Sequence, residues 1–129
     1  MTAAAVVQTL AKTAAVLIAA VVVYFAFIFE GPFPDHPALQ GQNDLALHVI
    51  AFAALSIPLL LLHSWKRNAA LLVLFAGGIE IVQLFQPRRS ADLSDFAGSA
   101  AGIALAALVV LAMRGIAWLV ASNKEQIDE

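Results

Sequence analysis

The sequence predicts an all-α fold, an integral membrane bundle of four transmembrane helices, and three observations carry that prediction. Composition is the first: 62% of the 129 residues are apolar and 12% are charged, with a mean hydropathy of +0.89. Soluble domains run at about 45–50% apolar and about 25% charged. Second, four apolar runs of spanning length follow one another, at about residues 10–29, 45–62, 69–85 and 96–113. Third, the breaks between them collect most of the prolines and charges. Since each span takes about 20 residues, the chain makes one membrane domain, 1–129, with no room for a second.

The first span follows a short segment that is polar only at Thr2, Gln8, Thr9 and Lys12, and the run from Thr13 to Phe29 carries no charge. A cleaved signal peptide is the competing reading, but its apolar core should be about 7–15 residues and end at an Ala-x-Ala-like site. Here the run ends in Tyr24, Phe25, Phe27 and Phe29, rings suited to an interface belt, so we expect an uncleaved anchor. The segment Glu30 to Asp44 holds Pro32, Pro34 and Pro37 and no Lys or Arg, which predicts an extended surface loop. Pro58 interrupts the second span and predicts a kink there. The turn His63-Ser-Trp-Lys-Arg-Asn68 is basic with an interfacial Trp65. The third span carries Gly77-Gly78 and then Glu80 and Gln83, and Arg114, Trp118 and a polar tail follow the fourth.

Lys12, Lys66, Arg67, Arg114 and Lys124, five of the seven basic residues, fall on one side of this topology. By the positive-inside rule that side is the cytoplasm, which places both termini inside. Arg88 and Arg89 are the exceptions, on the outer side. A net charge of −2 gives no reason to expect nucleic acid as a partner, and the absence of cysteine excludes disulfides and thiolate metal sites. No motif calls for a cofactor, and one histidine with dispersed carboxylates is a poor metal set.

Five of the eleven remaining charged residues lie between Glu80 and Asp95. The topology puts the start of the second helix, the end of the third and the start of the fourth at the outer leaflet. Asp44 and His48 share one helix face at a spacing of four, as do Glu80 and Gln83 at three and Asp92 and Asp95 at three. Glu80 then lies about 8 Å below Phe85, and His48 about 6 Å below Asp44. Ionisable groups at that depth face the bundle interior and are candidates for function by default. Structural alternatives stand beside each: an N-cap for Asp92 or Asp95, a packing network for His48, Glu80 and Gln83, and lipid snorkelling for Arg88. His36 and His63 receive no role. Gly98, Gly102 and Ala106 recur every four residues, a close-packing seam that Gly77-Gly78 could match; homo-oligomerisation through Gly98 and Gly102 is the alternative use.

Asp44-x-x-x-His48, then Glu80-x-x-Gln83-x-Phe85-x-Pro87-x-Arg89-Ser90, then Asp95 and Gly102, in that order on successive helices, resemble the VanZ-like membrane proteins. The resemblance covers about residues 44–105. It implies a small helical protein of the bacterial envelope, in a family named for a member associated with teicoplanin resistance. Two positions depart from the family pattern: Leu45 stands where Lys usually follows the first Asp, and Ser99 stands where Asn is usual. Ser99 keeps a donor and an acceptor, but on one atom.

The expected function is recognition of a lipid-linked or cell-wall-related head group by a polar site made of Asp44, His48, Glu80, Gln83, Arg88, Arg89, Asp92, Asp95 and Ser99. The two arginines would contact an anionic group. Membrane lipids, including a lipid-linked envelope precursor, are the expected partners, and the resemblance adds a link to glycopeptide-type antibiotic resistance. The alternative is an enzyme acting on lipid head groups, with His48 and Glu80 as acid and base. It lacks a recognisable nucleophile motif. Proton or ion transport is the third reading, disfavoured because no charge lies deep in the inner half.

Overall fold

Alanine, leucine, valine and isoleucine in long uninterrupted runs leave the backbone one way to satisfy its hydrogen bonds in an apolar medium, which is to close them within helices. The computed structural model of the protein describes residues 2–29, 43–62, 64–86 and 92–127, with backbone only at 43, 125 and 127. Among these residues there are four helices and no strand: α1 (Ala3–Phe27), α2 (Asn43–Leu61), α3 (Trp65–Gln83) and α4 (Leu93–Ile127). The expected loop from Glu30 and the turn at Pro87 to Ser90, with His36, His63, Arg88 and Arg89, lie outside the described residues.

The helix ends follow local chemistry more closely than hydropathy. Thr2 caps α1 by accepting from the Ala5 amide at 3.3 Å, so the helix begins well before the expected span. At its other end Ile28 N–H donates to Tyr24 O at 2.9 Å. Asp92 caps α4, its Oδ1 accepting from Ser94 N–H at 2.9 Å, and Asp95 sits in the first turn, where the helix dipole favours a carboxylate. α4 then runs through Arg114 and Gly115 to Ile127, where the sequence predicted a polar tail. A charge closes a hydrophobic span, but Arg, Ala and Leu are good helix formers, and nothing in the tail breaks the ladder. α2 likewise continues through Pro58 to Leu61.

α2 is the central element. It packs most extensively against α4, then against α1 and α3, while α1 touches α3 only lightly. The buried core takes Phe52, Leu55 and Leu60 from α2, Leu72, Ala76 and Ile79 from α3, Ile103, Ala106 and Val110 from α4, and Ala15 and Val22 from α1. In α3 and α4 these recur at spacings of three and four, and in α2 Phe52, the buried Ser56 and Leu60 recur at four, so these helices each offer one face inward. Phe52 and Phe75 meet with ring centroids 6.0 Å apart. The outward faces are apolar too: Leu10, Val16, Ile50, Leu74, Leu108 and Trp118 are all exposed. That inverts the soluble pattern and matches a lipid environment.

α1, α2 and α4 are each long and apolar enough to cross a membrane. α3 falls short of that standard. Lys66, Arg67 and Asn68 in its first turn, and Glu80 and Gln83 near its end, dilute its hydropathy. Its buried stripe explains this composition: Asn68, Leu72, Ala76, Ile79 and Gln83 lie along one face, with an amide at each end. Both amides serve other helices. Asn68 Nδ2 donates to Leu59 O at 2.8 Å, and Gln83 Nε2 to Ala26 O at 3.4 Å. Arg114 Nη2 donates to Leu60 O at 2.8 Å and Gln86 Nε2 to Phe27 O at 3.4 Å. Four carbonyls in the last turns of α2 and α1 thus each accept from one side chain of another part of the chain, and Leu59 O accepts from Leu62 N–H at 3.3 Å as well.

Candidate functional site

The site is built on the contact between α2 and α4, and two glycines set how close that contact is. A Cβ on Gly102 would stand 2.4 Å from Val49 O and 2.9 Å from Ala53 N, and one on Gly98 would stand 2.8 Å from Leu45 Cδ1 and 3.3 Å from His48 Cβ. Only hydrogen fits at these points, so the α4 backbone lies directly on α2. The seam is therefore occupied within the chain, and a second copy would need a different face. Gly77 and Gly78 are not part of a matching seam. A Cβ at Gly77 meets nothing nearer than Phe96 Cε2 at 3.8 Å, and one at Gly78 meets nothing within 4 Å.

Close approach at Gly98 puts its neighbours on His48. The His48 ring stands between Ser99 Oγ, 3.1 Å from Nδ1, and Asp95 Oδ2, 3.8 Å from Nε2. The first is a hydrogen bond; the second is an ion-pair distance, too long for one. With the ring proton on Nε2, Ser99 O–H donates to Nδ1 while N–H faces the carboxylate, so one tautomer suits both neighbours. Ser99 is 1% exposed, and the His48 and Asp95 side chains are 17% and 13% exposed, which makes this a mostly buried polar group in an apolar bundle.

Glu80 extends the cluster from α3. Its Oε2 accepts from Asp92 N–H at 3.3 Å, tying the end of α3 to the start of α4. Its Oε1 is buried and has no hydrogen-bond partner among the described residues. The carboxyl group lies within electrostatic range of His48, Asp95 and Asp92. An acceptor oxygen held out of water without a donor costs about 1–3 kcal/mol, and more if charged, so it is the atom of this cluster most in need of a ligand.

The other expected site residues divide. Asp44 is exposed in the first turn of α2, one turn from His48. Asp92 serves as the cap of α4. Gln83 is 4% exposed and turned towards Ala26 of α1 instead of towards His48. Arg88 and Arg89 lie outside the described residues. Among the described residues no three His, Asp or Glu side chains are grouped to hold a metal ion. The sequence reading missed Asn68, whose carbonyl partner lies nine residues back across a turn, and Gln86 and Arg114, whose carbonyl partners are 59 and 54 residues away and carry no local signal. It also missed Ser56, fully buried on α2 with its Oγ unpartnered among the described residues.

Fold and site together define the class: an all-α membrane protein with a buried polar cluster at one end of its helices. The chain belongs to the VanZ/LLP1 family, whose model matches residues 6–114. Neither the curated proteins nor the solved structures gave a match.

Proposed function

We propose that this VanZ/LLP1 protein is a four-span component of a bacterial cytoplasmic membrane, with both termini inside, whose polar cluster at the outer leaflet recognises a lipid-linked or cell-wall-related head group. The observation that carries this reading is Glu80 Oε1, a buried acceptor without a donor among the described residues, within electrostatic range of His48, Asp95 and Asp92. A hydroxyl or amide from a head group would supply that donor, and Arg88 and Arg89 would engage its anionic part. A contribution to glycopeptide resistance follows if the head group belongs to a cell-wall precursor. The test is complementation of a deletion strain, scored by envelope integrity and glycopeptide susceptibility. Wild-type protein should restore the phenotype; Glu80→Gln and the Arg88→Ala/Arg89→Ala pair should not, at equal membrane abundance. Full complementation by both variants would sink the proposal.

One observation favours the enzyme as a second reading. Ser99, His48 and Asp95 stand in the order nucleophile, base and orienting acid, which supplies the nucleophile that the sequence motifs lacked. The burial of Ser99 ranks it second, since substrate reaches Oγ only if α2 and α4 part. Conversion of outer-leaflet lipids by purified protein, lost in Ser99→Ala, would promote this reading; no conversion by wild type would remove it.

A further inference from the structure

The opposite end of the molecule carries a second feature that the polar cluster does not use. α1 gives only Ala15 and Val22 to the core and barely meets α3. Small side chains at Ala15 and Ala19 leave a trench between α1 and the other two helices, about 320 Å³ in volume, floored by Leu55 and Leu59 of α2 and walled by Leu72 of α3. Its lining is apolar except for Lys12, which is the sole charged residue of α1 and is exposed. A trench of this kind, open to a bilayer, stays free of water and gains contacts from whatever chain fills it.

The charged residues in the starting halves of α1 and α3 are all basic, and the one acid in the last turns of α4 is Glu125. Lys66 and Arg67 lie in the first turn of α3, about one turn before the residues that wall the trench, and both are exposed. The same turn is the positive end of the α3 dipole. The acids Asp44, Glu80, Asp92 and Asp95 all sit at the other ends of their helices. An occupant must therefore pair a long apolar tail with an anionic group at the level of Lys12. We propose that the trench holds an acyl chain of an anionic phospholipid from the surrounding membrane, its phosphate on Lys12 and backed by Lys66 and Arg67.

Each basic residue near a membrane surface favours anionic lipid by about fivefold. The experiment uses full-length protein reconstituted with lipids brominated on the acyl chain, read by quenching of a tryptophan at the trench. The probe is Leu71→Trp, an exposed lining position, in a chain whose Trp65 and Trp118 are changed to Phe. Brominated phosphatidylglycerol should quench at about one-fifth the mole fraction that brominated phosphatidylcholine needs. Lys12→Gln should remove most of that preference, and Lys66→Gln/Arg67→Gln part of it. Equal quenching by the two lipids, or a preference unchanged in Lys12→Gln, would overturn the proposal. Co-purified phospholipid counted by native mass spectrometry, wild type against Lys12→Gln, gives the same comparison without the tryptophan probe. A phosphatidylglycerol excess present in both proteins would also overturn it.

Discussion

At the scale of single residues, polar side chains in this protein are placed to receive what the helices leave over. Asn68 and Arg114 answer the last carbonyls of α2, Gln83 and Gln86 those of α1, and Glu80 an amide at the start of α4. Arg114 is the strongest case, because a guanidinium at the negative end of a helix adds charge to a 2.8 Å bond. Arg114→Met keeps the apolar stem and leaves Leu60 O without its donor. It should lower stability in mixed micelles by about 1–3 kcal/mol. Lys124→Met, an exposed change on the same helix, should stay within about 0.5 kcal/mol. Equal losses in reversible unfolding would show that Arg114 snorkels and caps nothing.

At the scale of elements, the α2–α4 contact decides where the candidate site can form, and glycines set its distance. Gly102→Ala must push against the Val49 and Ala53 backbone and should cost about 1–3 kcal/mol. Gly98→Ala meets a leucine terminus that can turn away as well as Leu45 O, so its cost should be smaller. It should nevertheless move Ser99 and Asp95 away from His48. Gly78→Ala meets open space and should stabilise α3 by up to about 1 kcal/mol through helix propensity alone. Unfolding measurements that fail to rank the three in this order would refute the account of the seam. The sequence shows the small-residue repeat but not which helix fills it: Gly77-Gly78 has the same composition and faces almost nothing.

At the scale of the whole molecule, the helices differ in length in a way that bears on topology. α4, with 35 residues, extends about 52 Å, well beyond a hydrocarbon core of about 30 Å, whereas α3 has 19 residues and polar ends. The proposed four-span arrangement follows from the order of the helices and the distribution of Lys and Arg. It predicts a labelling pattern that the cysteine-free chain makes simple to read. Single cysteines replacing Ala38 and Ser90 should react with an impermeant thiol reagent in intact cells, and those replacing Ser64 and Lys124 only after the membrane is opened. Labelling at Ser64 from outside would invert or break this arrangement.

The sequence by itself determined that the chain is helical and apolar enough for a membrane, and which family it belongs to. Those properties are local or additive: hydropathy sums along a run, backbone hydrogen bonds close within four residues, and the motif from Glu80 to Ser90 is contiguous. The pairing of His48 with Ser99, the diversion of Gln83 to α1 and the hold of Arg114 on Leu60 depend on residues 51, 57 and 54 positions apart. Only tertiary structure decided these. A side chain's partner is set by how closely two helix axes approach and how they are rotated, and here two hydrogen atoms at Gly98 and Gly102 fix that approach. The cluster first legible as a charged stretch between two apolar runs is, in the folded chain, centred on α2 and α4, with Glu80 reaching into it from α3.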